Sequence, residues 1–105
     1  MKLWVNDVRL APGGYVWCKN VNEAIETIKL TEYICNGFGR KSVIELIDLG
    51  HDAEDYINDG YDYISILNWL EETGRNYPIR IHSMNPVGVE NMRRIIQRNG
   101  WTEVK

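Results

Sequence analysis

Four short stretches bring together residues able to move protons or hold a phosphate. After the apolar run that closes at Gly50 come His51 and Asp52, then Glu54, Asp55, Asp59 and Asp62 within a dozen residues. An imidazole beside a carboxylate is the usual pairing for a general base or a metal ligand. Asn6, Asp7 and Arg9 follow the first apolar stretch, and His82, Ser83 and Asn85 follow a later one. Gly88 stands just before the helix that comes next, whose N-terminus offers free amides and a positive dipole end to an anion. Each residue also has a plain structural role open to it. Asp7 and Ser83 can cap turns, Gly88 can serve a turn, His51 and Asp52 can satisfy loop backbone, and His82 can be a core histidine. Asp48 reads as a buried carboxylate paired with Arg80 or with a backbone donor.

Alternating strands and helices must position these groups. A strand is expected over 2–8 and another over 15–19, with a Pro and two Gly between them. Six residues or so would make the pair a hairpin, or parallel neighbours with an unusually short crossover. Asn20 and Glu23 have capping-box spacing ahead of Val21, Ala24, Ile25 and Ile28, so a helix is expected over 21–30, reaching at most to 33. A central strand runs to Leu49. A second helix starts near Gly60 to Asp62 and buries Tyr63, Ile66, Leu67 and Leu70. A strand over 79–83, a third helix with Val89, Met92, Ile95 and Ile96 inward, and an edge strand over 101–105 complete the order. Gly74 and Gly100 are placed as the residues that close the second and third helices. Such alternation implies one mainly parallel sheet with helices on both faces. Ligands of open α/β sheets bind beyond the carboxyl ends of the strands, where all of these polar turns would lie.

At 105 residues the chain is one domain, 1–105. Its 44% hydrophobic and 26% charged composition is that of a globular protein, without a membrane-length apolar run or a signal-peptide core. The expected location is the cytoplasm. The net charge of −3, with six of the fifteen acids between Asp48 and Asp62, argues against long nucleic-acid tracts as partners. A small phosphate-containing ligand or nucleotide remains open. Cys18 and Cys35 read as reduced thiols. Four Trp and six Tyr leave room for an exposed aromatic patch and hence for a homodimer.

Residues 3–9, 51–56, 60–63 with 69–72, and above all Ile81-His82-Ser83-Met84-Asn85-Pro86-Val87-Gly88 carry a resemblance to the cyclic-phosphate-processing receiver-like family, related to response-regulator receivers. The resemblance implies a flavodoxin-like three-layer sandwich with a five-stranded sheet in the order 2-1-3-4-5, and processing of cyclic phosphates on nucleotides or RNA ends. Similar chains carry paired acids after strand one and an Asp-His-Asp group after the central strand, which together hold a divalent cation. Here Asn6 and Gly50 stand where two of those acids would be. Their absence weakens a Mg²⁺ site, leaving Asp7 and Asp52 as cation ligands.

The enzyme reading that follows is phosphodiesterase-type hydrolysis. His51, oriented by Asp52, would activate water. His82, Ser83, Asn85, Gly88 and Arg9 would contact phosphate or substrate, and Asp7 would protonate the leaving oxygen or anchor the cation. The alternative is a binding module of the same fold that has lost catalysis.

Overall fold

The computed structural model describes residues 1–6, 10–39, 43–50, 63–82 and 86–105. Its elements are β1 (Lys2–Val5), β2 (Tyr15–Cys18), α1 (Val21–Gly37), β3 (Leu46–Leu49), α2 (Ile64–Glu72), β4 (Ile79–Ile81) and α3 (Pro86–Asn99). The four strands form a parallel sheet in the order β2-β1-β3-β4. Parallel pairing of β1 with β2 resolves the choice left open by their short connection. The strand expected over 101–105 does not form; there Glu103 makes a single parallel bridge to Ile79. The Ile79 N–H donates to Thr102 O at 2.9 Å and its carbonyl accepts from Val104 N at 2.7 Å, so the segment lies along β4 without becoming a fifth strand.

Local chemistry sets the helix bounds. The Asn20 side chain accepts from the Glu23 N–H at 2.9 Å, and the Glu23 carboxylate reaches back to the Lys19 N–H, completing a reciprocal cap. Nothing between Leu30 and Gly37 breaks the helix, and Thr31 and Cys35 extend the buried stripe of Ala24 and Ile28, so α1 runs well beyond its expected end. Gly74 and Gly100 close α2 and α3 in the left-handed region, at φ 69° and 67°. Each helix ends in the same pair of bonds, Arg75 N to Leu70 O with Gly74 N to Glu71 O, and Trp101 N to Ile96 O with Gly100 N to Gln97 O.

Side chains of registered residues in parallel strands share a face. One face of the sheet carries Leu3, Val5, Cys18, Ile47, Leu49 and Ile79, all in one buried cluster with Ala24 and Ile28 of α1, Ile66, Leu67 and Leu70 of α2, and Met92 and Ile96 of α3. The steps β2 to β3 and β3 to β4 move the same way along the sheet, so right-handed crossovers place their helices on the same side. Contacts of α2 with both α1 and α3 agree. The three described helices thus share one face of the sheet. The one step in the opposite direction, β1 to β2, is too short to carry a covering helix. The other face presents Trp4, Tyr15, Trp17, Leu46, Asp48 and Arg80. No described helix is long and apolar enough to cross a membrane, and Cys18 and Cys35 are free and buried.

Candidate active site

The register Val5, Leu49, Ile81 across β1, β3 and β4 continues one residue further as Asn6, Gly50 and His82. Ladder-type bonds pin each of the three: Asn6 N to Cys18 O at 3.1 Å, Gly50 N to Val5 O at 3.0 Å, and His82 N to Leu49 O at 2.8 Å. Trp17 Nε1 also donates to the Asn6 carbonyl at 2.7 Å. A row of residues therefore stands at the carboxyl edge of three adjacent strands, where parallel sheets place their sites.

The imidazole of His82 is held on three sides. Its Nδ1 lies 2.5 Å from Asp48 Oδ1, its Nε2 lies 3.1 Å from Asn6 Nδ2, and its ring stacks on Trp4 with centroids 3.8 Å apart and planes 3° from parallel. An amide nitrogen can only donate, so Nε2 accepts and the ring proton resides on Nδ1, where it bonds the Asp48 carboxylate. That is the neutral tautomer with its lone pair turned toward the strand ends, the arrangement an orienting carboxylate gives a proton-accepting histidine.

Asp48 is fully buried. A carboxylate out of water is costly unless paired. Oδ1 has His82, whereas among the described residues Oδ2 makes no hydrogen bond and has Arg80 Nη1 at 3.5 Å. Arg80 itself is half-exposed, so the guanidinium closes the outer side of the pair. The expected Asp48–Arg80 pairing is present but loose, and His82 is the closer partner.

Gly50 makes the row possible. β1 and β4 are not neighbours, so Asn6 and His82 meet only by reaching over the strand between them. A Cβ on Gly50 would lie 3.1 Å from Asn6 Nδ2, 3.4 Å from His82 Nε2 and 3.2 Å from the ring of the fully buried Tyr63. The two positions where the resemblance implies missing acids are thus one place in space, filled by the Asn6–His82 contact.

Of the residues named from sequence, His82 and Gly88 are described. Gly88 is buried in the first turn of α3, beside the exposed Val87. Asp7, Arg9, His51, Asp52, Ser83 and Asn85 lie outside the described residues. The part that sequence reasoning missed is the support of His82 by Asp48, Trp4 and Asn6. A signal existed: Asp48 and Arg80 are in register, and His82 is two residues beyond Arg80 on the same face.

The described residues do not fit a hard divalent cation. Gly50 offers no side chain and the carboxylate at hand, Asp48, is turned beneath His82, so the Asn6 amide oxygen is the one side-chain oxygen that the described residues of the row could offer such a cation. Among the described residues no group of three His, Cys, Asp or Glu could hold a metal. Asp7 and Asp52, the expected cation ligands, lie outside them.

Neither curated proteins nor solved structures gave a match to this chain. The family model described as the cyclic-phosphate processing receiver domain matches residues 1–98, and with a parallel α/β sheet whose polar row stands at its carboxyl edge, the chain belongs to that family.

Proposed function

We propose that the domain opens cyclic phosphates by phosphodiesterase-type hydrolysis, with His82 as the proton-accepting group. The observation that carries this reading is the Asp48 carboxylate on Nδ1, 2.5 Å away, which leaves the Nε2 lone pair toward the strand ends. In this scheme the Asn6 amide turns from Nε2 to the incoming substrate. Water gives a proton to Nε2 as its oxygen bonds phosphorus, and the bond from phosphorus to one ribose oxygen breaks. That oxygen takes a proton from Asp7, or from His51 held by Asp52; these residues directly follow Asn6 and Gly50 in the chain. Arg9, Ser83, Asn85 and Gly88 contact phosphate. No step is routed through a metal.

Hydrolysis of a 2′,3′-cyclic mononucleotide tests this. The native protein turns over, and His82→Ala falls by about 10²–10⁴-fold, the usual worth of a general base. Undiminished turnover by His82→Ala refutes the assignment. The second reading, a binding module without catalysis, draws on the Asn6 amide that fills Nε2 and the glycine that replaces an acid. It requires an inactive native protein that the cyclic nucleotide nonetheless stabilises thermally, since binding stabilises by mass action.

A further inference from the structure

Helix α1 is apolar on two opposite sides in its C-terminal half. Ile28, Thr31 and Cys35 face the core, while Leu30 is 60% exposed, Tyr33 78%, Ile34 50% and the C-cap Phe38 77%. No exposed residue between Leu30 and Phe38 is charged. By contrast, α3 turns Glu90, Arg94 and Arg98 outward. The solvent side of a surface helix is ordinarily polar, so this apolar stripe, opposite the core-facing one, calls for a partner surface. Thr31 Oγ1 meets Met1 Sδ at 3.7 Å, so by Thr31 the helix has reached the amino end of β1. The patch therefore lies toward the edge of the sheet opposite Asn6, Gly50 and His82.

We propose that this stripe joins two copies of the chain, with α1 antiparallel to α1 of the second copy about a two-fold axis between Tyr33 and Ile34. Such an axis sets Tyr33 against Ile34 of the second copy and Leu30 against Gly37 of the second copy. A Cβ at Gly37 would have nothing within 4 Å, so that position is a free hole for the leucine. The pattern is self-complementary, as an isologous contact demands. Between Leu30 and Phe38 the stripe carries no exposed charge to select an acidic or basic partner, and the flanking Lys29 falls against the ring of Phe38 of the second copy. The four side chains expose about 600 Å² per copy, at the upper end of the largest patch on a typical monomer. Two copies would bury about 1,200 Å², the lower bound for a specific interface. Both candidate active sites remain open, at the far ends of the pair.

Sedimentation velocity from about 5 to about 500 µM, a span that covers micromolar association, tests the proposal. The native chain should pass from 12.2 kDa toward twice that mass, and Ile34→Glu should weaken association at least tenfold with unchanged circular dichroism. Should Ile34→Glu fold poorly, Tyr33→Lys at the most exposed position gives the same reading. A native chain that stays monomeric throughout, or a dimer indifferent to these substitutions, overturns the proposal.

Discussion

Gly50→Ala places one methyl group where Asn6 and His82 meet. Its Cβ would stand 3.1 Å from Asn6 Nδ2 and 3.2 Å from a Tyr63 ring carbon, both closer than ordinary contact, with His82 Nε2 at 3.4 Å. Tyr63 is fully buried and Asn6 is pinned by β2 and Trp17, so neither yields easily. Overpacking of this kind costs about 1–3 kcal/mol. Loss of the Asn6–His82 bond adds about 1 kcal/mol. The φ of Gly50 is not positive, so alanine also restricts the unfolded chain, returning about 0.4–1 kcal/mol. The net expectation is about 2 kcal/mol of destabilisation, read as a lower urea midpoint at unchanged slope and a Tm lower by roughly 10 °C. Asn6→Ala removes one of the crowded atoms, so the double variant should lose less than the sum of the two single ones. A Gly50→Ala protein as stable as the native one would refute the crowding on which the row depends. It would also reopen the position to the acid that related chains are expected to carry.

Asp48→Asn keeps the shape of the side chain but removes the charge that holds the Nδ1 proton. Hydrolysis in that variant should fall by at least tenfold while the fold persists by circular dichroism. Trp4→Ala removes the ring on which His82 stacks and should cost about 3 kcal/mol in chemical denaturation, at the lower end for a core tryptophan. Burial acts to raise the Glu32 carboxyl, but hydrogen bonds from Arg75 and Tyr77 outweigh it and hold the group below its usual 4.5. The stabilisation is therefore full above 4.5 and is lost as pH falls through the lower folded value. Melting curves of native and Glu32→Gln proteins should differ at neutral pH and converge once the pH has fallen below that lowered folded value.

Much of the fold was legible because local chemistry decided it. Glycines 74 and 100 close their helices as expected, and the Asn20–Glu23 cap starts α1 where the spacing placed it. The central strand, expected from Lys41 or Ser42, begins at Leu46, and the strand expected over 79–83 ends at Ile81. What failed was long-range. Alternation alone suggested helices on both faces, whereas the three described helices share one: the nine residues between β1 and β2 leave no length for a crossover helix, and the described crossovers share one direction. The segment after Gly100 was expected to be a strand. Its Trp101 instead packs into the core and Glu103 pairs with Arg93, leaving two ladder bonds on Ile79. At the site, His82 was visible as a strand-end histidine but its partner was not. Asp48 was matched to Arg80 because the two could form an ion pair, and only the register brings His82, on the same face, within 2.5 Å.

The role proposed for His82 turns on which of its nitrogens carries the proton. Histidine nitrogen NMR on isotope-labelled protein, at a pH where the ring is neutral, reads this directly. The expected result is a protonated Nδ1, its proton shifted far downfield by the Asp48 carboxylate, and an Nε2 resonance of the bare lone-pair type that Asp48→Asn alters. A proton on Nε2 in the native protein would contradict it.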